Sequence, residues 1–204
     1  HRKTGEFHEA EYNTHLLRPL GVEQSSIEFD FRLPSEACER LQEELTIAGL
    51  ASSERFVILH PGSGGSARDW PLRRFAALAD QIMSKMEVKV LLTGSEAERA
   101  LIQSVTDQMN LQPIALCGRL NLVELAALTD RAELLVANST GPLHLAVAMG
   151  TPVVGLYPPI QACRPERWGP YGRPESVIMS QREECSACQR GDSKTTCDCM
   201  SAIS

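Results

Sequence analysis

Apolar positions fall into two regimes along this chain. Residues 6 to 18 carry a helical pattern of mixed polarity, which Pro19 and Gly21 stop. Residues 22 to 33 read as extended or irregular, up to Pro34. From Ser35 to about Ala48 the residues Ala37, Leu41, Leu45 and Ala48 keep helical spacing, and Gly49 supplies a terminator. From Arg55 onward the pattern changes to short unbroken apolar runs separated by helical stretches. Strands are predicted at Phe56 to Leu59, Val88 to Leu92, Ile114 to Leu116, Leu134 to Ala137 and Val153 to Leu156. The helices predicted between them start at Pro71 (apolar face Phe75, Leu78, Ala79, Ile82, Met86), Glu96 (to Met109), Leu122 (to Thr129) and Pro142 (to Met149).

Strands that alternate with helices imply βαβ units and a parallel sheet. Their runs are continuously apolar, not alternating, which is the pattern of strands covered on both faces. The fold class expected is therefore α/β, Rossmann-like, a parallel sheet with helices on both sides. Ligands of such sheets bind outside the carboxyl ends of the strands. The loops that begin at His60, Thr93, Cys117 and Asn138 all belong to that edge.

Composition narrows the function classes. The 204 residues are 43% apolar and 23% charged, with a net charge of −6. That is enough chain for one domain with a real core, and it carries no domain-wide basic footprint for nucleic acid. No apolar run approaches the ~18 residues of a membrane-spanning helix. The first residues, His1-Arg2-Lys3-Thr4-Gly5, lead into no apolar segment of the signal-peptide kind and lack an initiating Met, so a fragment boundary is expected there. Of seven cysteines, four crowd the end: Cys185, Cys188, Cys197 and Cys199. Four thiols suffice for one tetrahedral zinc, although the Cys-x-Cys pair is a less regular spacing; disulfides and free thiols are the other roles open to them.

Three loops carry candidate chemistry. The first, His60-Pro-Gly-Ser-Gly-Gly-Ser-Ala-Arg-Asp-Trp-Pro71, combines glycines that let a ligand approach, the hydroxyls of Ser63 and Ser66, and the forked donors of Arg68. A flexible loop with a surface arginine is its bland alternative. In the second, Thr93-Gly94-Ser95-Glu96-Ala97-Glu98, an acid in a first helical turn is favourable without any ligand; the sharper alternative is a carboxylate that takes a ribose hydroxyl. The third is Ser139-Thr140-Gly141-Pro142-Leu143-His144. A small-residue turn at a helix start directs unpaired N–H groups outward and suits phosphate, and His144 is either an added donor or a satisfied core histidine.

The His-Pro-Gly strand end, a basic residue two before Trp-Pro, and the later Thr-Gly-x-x-His-Leu-Ala-x-Ala-x-Gly-x-Pro-Val-Val-Gly-Leu resemble glycosyltransferase family 9, the ADP-heptose:lipopolysaccharide heptosyltransferases and their relatives. Arg-Pro-Glu-Arg-Trp-Gly-Pro-Tyr-Gly at 164–172 and the closing Cys-Met-Ser-Ala-Ile carry the resemblance to about residue 203. The resemblance implies a GT-B architecture of two Rossmann-like halves, of which this chain matches the C-terminal, donor-binding one. It divides the chain into an interdomain connector with flanking helices (1–53), a nucleotide-sugar-binding domain (54–180) and a cysteine-rich tail (181–204). It implies that Arg68 stands where a Lys contacts the donor diphosphate, that Thr140 and Gly141 bind phosphate or sugar, that His144 meets the diphosphate, and that Glu98 meets the ribose. Many members have Asp where this chain has Ser139, and that Asp contacts the sugar. The implied donor is ADP-heptose and the implied acceptor the lipopolysaccharide core, with no metal required. The catalytic base, usually an Asp, would come from the N-terminal half of the same protein, so no catalytic residue is expected in this fragment and the fragment alone is expected to be inactive. The implied location is cytoplasmic, at the inner face of the inner membrane. A GT-B enzyme with another nucleotide sugar, and a non-catalytic nucleotide-sugar-binding module, stay open beside this.

Overall fold

The computed structural model describes residues 6–23, 26–182 and 198–204. Its centre is a six-stranded sheet in the order β3-β2-β1-β4-β5-β6, with every adjacent pair parallel. The strands are β1 (Phe56–His60), β2 (Lys89–Leu92), β3 (Ile114–Ala115), β4 (Leu134–Asn138), β5 (Val153–Tyr157) and β6 (Val177–Met179). The helices are α1 (Glu9–His15), α2 (Ser35–Ile47), α3 (Leu72–Lys85), α4 (Arg99–Thr106), α5 (Leu122–Arg131), α6 (Gly141–Ala148), α7 (Pro165–Trp168) and α8 (Asp198–Ser201).

β1 shows why the apolar runs are unbroken: all five of its residues are buried. Val57 and Leu59 point into one core layer with Phe75 and Ala79 of α3 and Ile102 and Val105 of α4. Phe56 and Ile58 point into the other, with Leu41 and Leu45 of α2, Leu128 of α5 and Leu143 and Ala146 of α6. The side-chain period of two sends successive residues to opposite faces, and both faces are covered. Chain order reverses between β1 and β4, so a crevice opens beyond their carboxyl ends, where such sheets take ligands.

The predicted α/β fold is present, with three local differences. The helix expected over 96–109 is instead a 3₁₀ turn, Glu96–Glu98, followed by α4. Its cause is a capping box: Glu98 folds back so that its carboxylate accepts the Ser95 N–H at 2.8 Å. Met86 does not share the apolar face of α3; it lies past the helix end in extended backbone and is half exposed. β6 was not expected, because a three-residue edge strand with exposed Ile178 and Met179 has no apolar run to announce it. α2 ends as predicted, on Gly49 in the left-handed region (φ 82°). At the far end of the chain Cys199, Met200 and Ile203 are buried in the α3–α4 layer, and the Trp70 indole N–H donates to the Ile203 carbonyl at 3.0 Å.

Candidate functional site

The crevice over β1, β2 and β4 is a cleft of about 380 Å³, within the size range of small-ligand sites. Its walls come from four strand-end loops: His60, Ser63 and Gly64 after β1, Thr93 to Glu98 after β2, Leu116 to Asn121 after β3, and Thr140 with Pro142 after β4. The Asn138 side chain holds two of these loops together. Its Oδ1 accepts the Trp70 N–H at 2.9 Å, and its Nδ2 donates to the Pro61 carbonyl at 2.6 Å and to Asp69 Oδ1 at 3.3 Å. An asparagine with no exposure at the end of a buried strand must satisfy its amide inside the protein. Here it does so by fixing the start of the β1 loop against the end of β4.

Glu98 anchors the opposite wall. Burial pushes its carboxyl up. The Ser95 N–H and hydroxyl (each 2.8 Å), the neighbouring His60 ring and the Gly64 N–H outweigh that and hold it below the usual carboxylate value. The carboxylate is therefore ionised, an acceptor only. It lies so close over Gly62 that a methyl group there would overlap it. Glu98 thus caps its turn, as the ligand-free alternative has it, and also lines the cleft.

His60 ends β1. Its ring shares a 2.9 Å hydrogen bond between Nδ1 and Thr93 Oγ1, and burial lowers its pKa against the opposing pull of the Glu98 charge.

The eight residues proposed from sequence divide into two groups. Ser63, Glu98, Thr140 and Pro142 line the cleft. Arg68, Ser139, Gly141 and His144 are not among the cleft's lining residues. Arg68 is only 8% exposed. Burial pushes up the thiol of Cys163, in the loop after β5, and the Arg68 charge offsets part of that push. Among the described residues nothing hydrogen-bonds or ion-pairs with its guanidinium. Burial raises the pKa of the Tyr157 hydroxyl, Ser139 beside it lowers that pKa slightly, and the hydroxyl donates to the Trp168 carbonyl at 2.7 Å. His144 is half-buried, and its pKa is lowered by burial and then by His8, whose ring centre is 6.4 Å away. His8 belongs to the N-terminal segment, which is tied to this rim by His8 Nε2–H donating to the Gly169 carbonyl (2.9 Å) and by Arg167 donating to Glu9 (2.8 Å).

The turn before α6 holds fewer free donors than expected. Thr140 makes no side-chain cap, Pro142 has no N–H, and the Leu143 N–H turns back to the Thr140 carbonyl at 3.1 Å. Of the first three helix residues, Gly141 alone keeps an N–H without an acceptor. Buried, unpaired cationic charge on this rim therefore resides in Arg68.

Sequence reasoning missed His60, Thr93 and Asn138. Asn138 had a legible signal, an amide at the end of an otherwise apolar strand. His60 and Thr93 had none, because their pairing spans two strands.

Among the described residues no group of His, Cys, Asp and Glu is placed to hold a metal, and no helix is long and apolar enough to cross a membrane. Of the zinc candidates Cys185, Cys188, Cys197 and Cys199, the first three lie outside the described residues. Cys199 is buried in the core.

Comparison with known proteins adds the following. A family model described as glycosyltransferase family 9 (heptosyltransferase) matches residues 1–197. A Haemophilus influenzae protein provisionally named a glycosyltransferase is 31% identical over 83% of this chain and 51% of its own length. Lipopolysaccharide heptosyltransferase 3 of Escherichia coli is 28% identical over 72% of this chain and 43% of its own. The crystal structure of a family 9 glycosyl transferase from Veillonella parvula superposes with a TM-score of 0.75 at 29% identity, over 92% of this chain and 52% of that one. The chain thus spans about half the length of the relatives it matches.

Proposed function

Since this chain belongs to glycosyltransferase family 9, we propose that it is the donor-binding half of a heptosyltransferase, and that the cleft and the Arg68 rim together hold ADP-heptose for transfer to a lipopolysaccharide core acceptor. The observation that carries this reading is Arg68. A guanidinium less than a tenth exposed, with no partner among the described residues, is costly unless an anion completes it. A diphosphate supplies that anion and matches the forked donor geometry. Glu98, ionised at the other end, would repel phosphate and accept hydroxyls. The two ends give the site a direction: nucleoside in the cleft, diphosphate toward Arg68 and sugar beyond it.

In this reading the sugar–phosphate bond breaks as an acceptor hydroxyl attacks from the opposite face. Negative charge grows on the leaving diphosphate, and donors already in place stabilise it more than they stabilise the bound ground state. Arg68 is the principal donor. His144, held neutral by burial, and the Gly141 N–H are the supporting ones. The base that deprotonates the acceptor belongs to the N-terminal half of the whole protein, which works at the cytoplasmic face of the inner membrane. This chain alone binds donor without turning it over, and needs no metal to do so. Ser139 favours a second reading, a different nucleotide sugar: a neutral hydroxyl stands where many family members carry an Asp that contacts the sugar.

Calorimetric titration of the chain with ADP, UDP and ADP-heptose tests the assignment. ADP and ADP-heptose are expected to bind, and UDP more weakly. Equal affinity for ADP and UDP would remove the adenine nucleotide, and no binding of any of the three would remove the nucleotide site.

A further inference from the structure

The role of His60 is left open by the donor site as described. The ring is 6% exposed, yet it lines the cleft beside Thr93 and Glu98. Nδ1 is engaged by Thr93 Oγ1 at 2.9 Å. Nε2 has no partner among the described residues. It is also not sealed in: among the described residues the only side-chain nitrogen or oxygen both shut off from solvent and unpartnered is Arg74 Nε, outside the cleft. A side chain more than nine-tenths buried thus presents one unused nitrogen to the cleft.

We propose that His60 is a ligand-contacting residue, and that with Glu98 it forms a donor–acceptor pair that reads the vicinal hydroxyls of a ribonucleoside diphosphate. This rests on the nucleotide reading above, with the ribose contact that the family resemblance implies for Glu98, and adds His60 as the donor beside that acid. An ionised carboxylate only accepts hydrogen bonds, and Ser95 already occupies its Oε2 twice. The negative charge in the same cleft favours the tautomer with hydrogen on Nε2, and Nδ1 then accepts from the Thr93 hydroxyl. One wall of the cleft therefore offers a neutral donor next to an anionic acceptor. Hydroxyl groups, which both donate and accept, satisfy the two together. A phosphate satisfies only the first and is repelled by the second. Burial keeps the ring uncharged, so the pair does not collapse into a closed ion pair that would need no ligand.

The test is titration of the chain and two variants with ADP, 2′-deoxy-ADP and 3′-deoxy-ADP. His60→Asn places an amide where Nδ1 was and keeps a partner for Thr93, but withdraws the group that reaches the cleft. His60→Gln keeps that reach. The unaltered chain is expected to prefer ADP over the deoxy analogues by about 10-fold or more, since a lost hydroxyl leaves polar groups of the site unpaired. His60→Asn is expected to reduce the preference to within about threefold, and His60→Gln to restore part of it. A wild-type preference in His60→Asn overturns the proposal. ADP binding without any hydroxyl preference overturns it while the nucleotide reading stands. Absence of ADP binding removes both. If the variants do not fold, the imidazole ¹⁵N resonances of the unaltered chain decide: His60 Nε2 must shift with ADP more than with the deoxy analogues, and an unmoved resonance overturns the assignment.

Discussion

Replacement of Asn138 by alanine is the perturbation that tests most directly how the β1 loop is held. The asparagine is fully buried and makes three hydrogen bonds to the two ends of the loop after β1. Alanine orphans the Trp70 N–H and the Pro61 carbonyl, both on buried residues. An unsatisfied buried polar group costs about 1–3 kcal/mol, so the expected loss is about 2–5 kcal/mol, a large part of the ~5–15 kcal/mol that stabilises a typical domain. Asp69 is exposed and finds water instead, so its bond adds little. In a protein of this size each kcal/mol moves the melting temperature by about 2–4 °C, and a drop on the order of 10 °C is expected. Urea denaturation followed by circular dichroism measures the free energy, and ADP titration of the folded fraction measures the site. Both are expected to fall, because Ser63 and Arg68 are carried by the released loop. A loss below about 0.5 kcal/mol with an unchanged denaturant slope would show that water replaces the amide without penalty, and the reasoning would fail.

Other outcomes follow from the same geometry. Arg68→Met should leave stability unchanged or raised, because it removes an unpaired buried charge, while ADP affinity falls at least about tenfold and transfer by the whole enzyme about 100-fold; a variant that is destabilised and still binds ADP would show that Arg68 is structural. Gly62→Ala should push the Glu98 carboxylate from its place over the loop and break the capping box, at about 1 kcal/mol, with weaker nucleotide binding; intact binding and stability would mean that the carboxylate is not held where it lies. Stability should fall as pH is lowered from about 7 to 5.5, because His60 and His144 have folded pKa values below the 6.5 of a free imidazole and the unfolded chain takes up protons that the folded one refuses. A flat urea midpoint across that range would contradict the burial of both rings.

What the chain determines locally and what it leaves to its tertiary structure divide along a physical line. The two-sided burial of the sheet is written in β1, whose run Phe56 to Leu59 is apolar because each of these side chains faces one core or the other. The end of α2 is written in Gly49, since few other residues adopt its backbone angles without strain. Loop composition placed Ser63, Glu98, Thr140 and Pro142 on one rim, because parallel strands deliver their carboxyl ends to one edge. Pro142 announces its missing N–H, but composition could not tell that the Leu143 N–H would turn back to the Thr140 carbonyl. It could not tell that Glu98 would cap a turn and face the cleft at once, or that His60 and Thr93 would pair; of Asn138 it showed the buried amide but not the partners. The pairings of His60 with Thr93 and of Asn138 with Pro61 and Trp70 depend on which donors and acceptors meet across strands dozens of residues apart. Periodicity records which side of an element is apolar, and it carries no record of what lies opposite; only the packing of the sheet decides that.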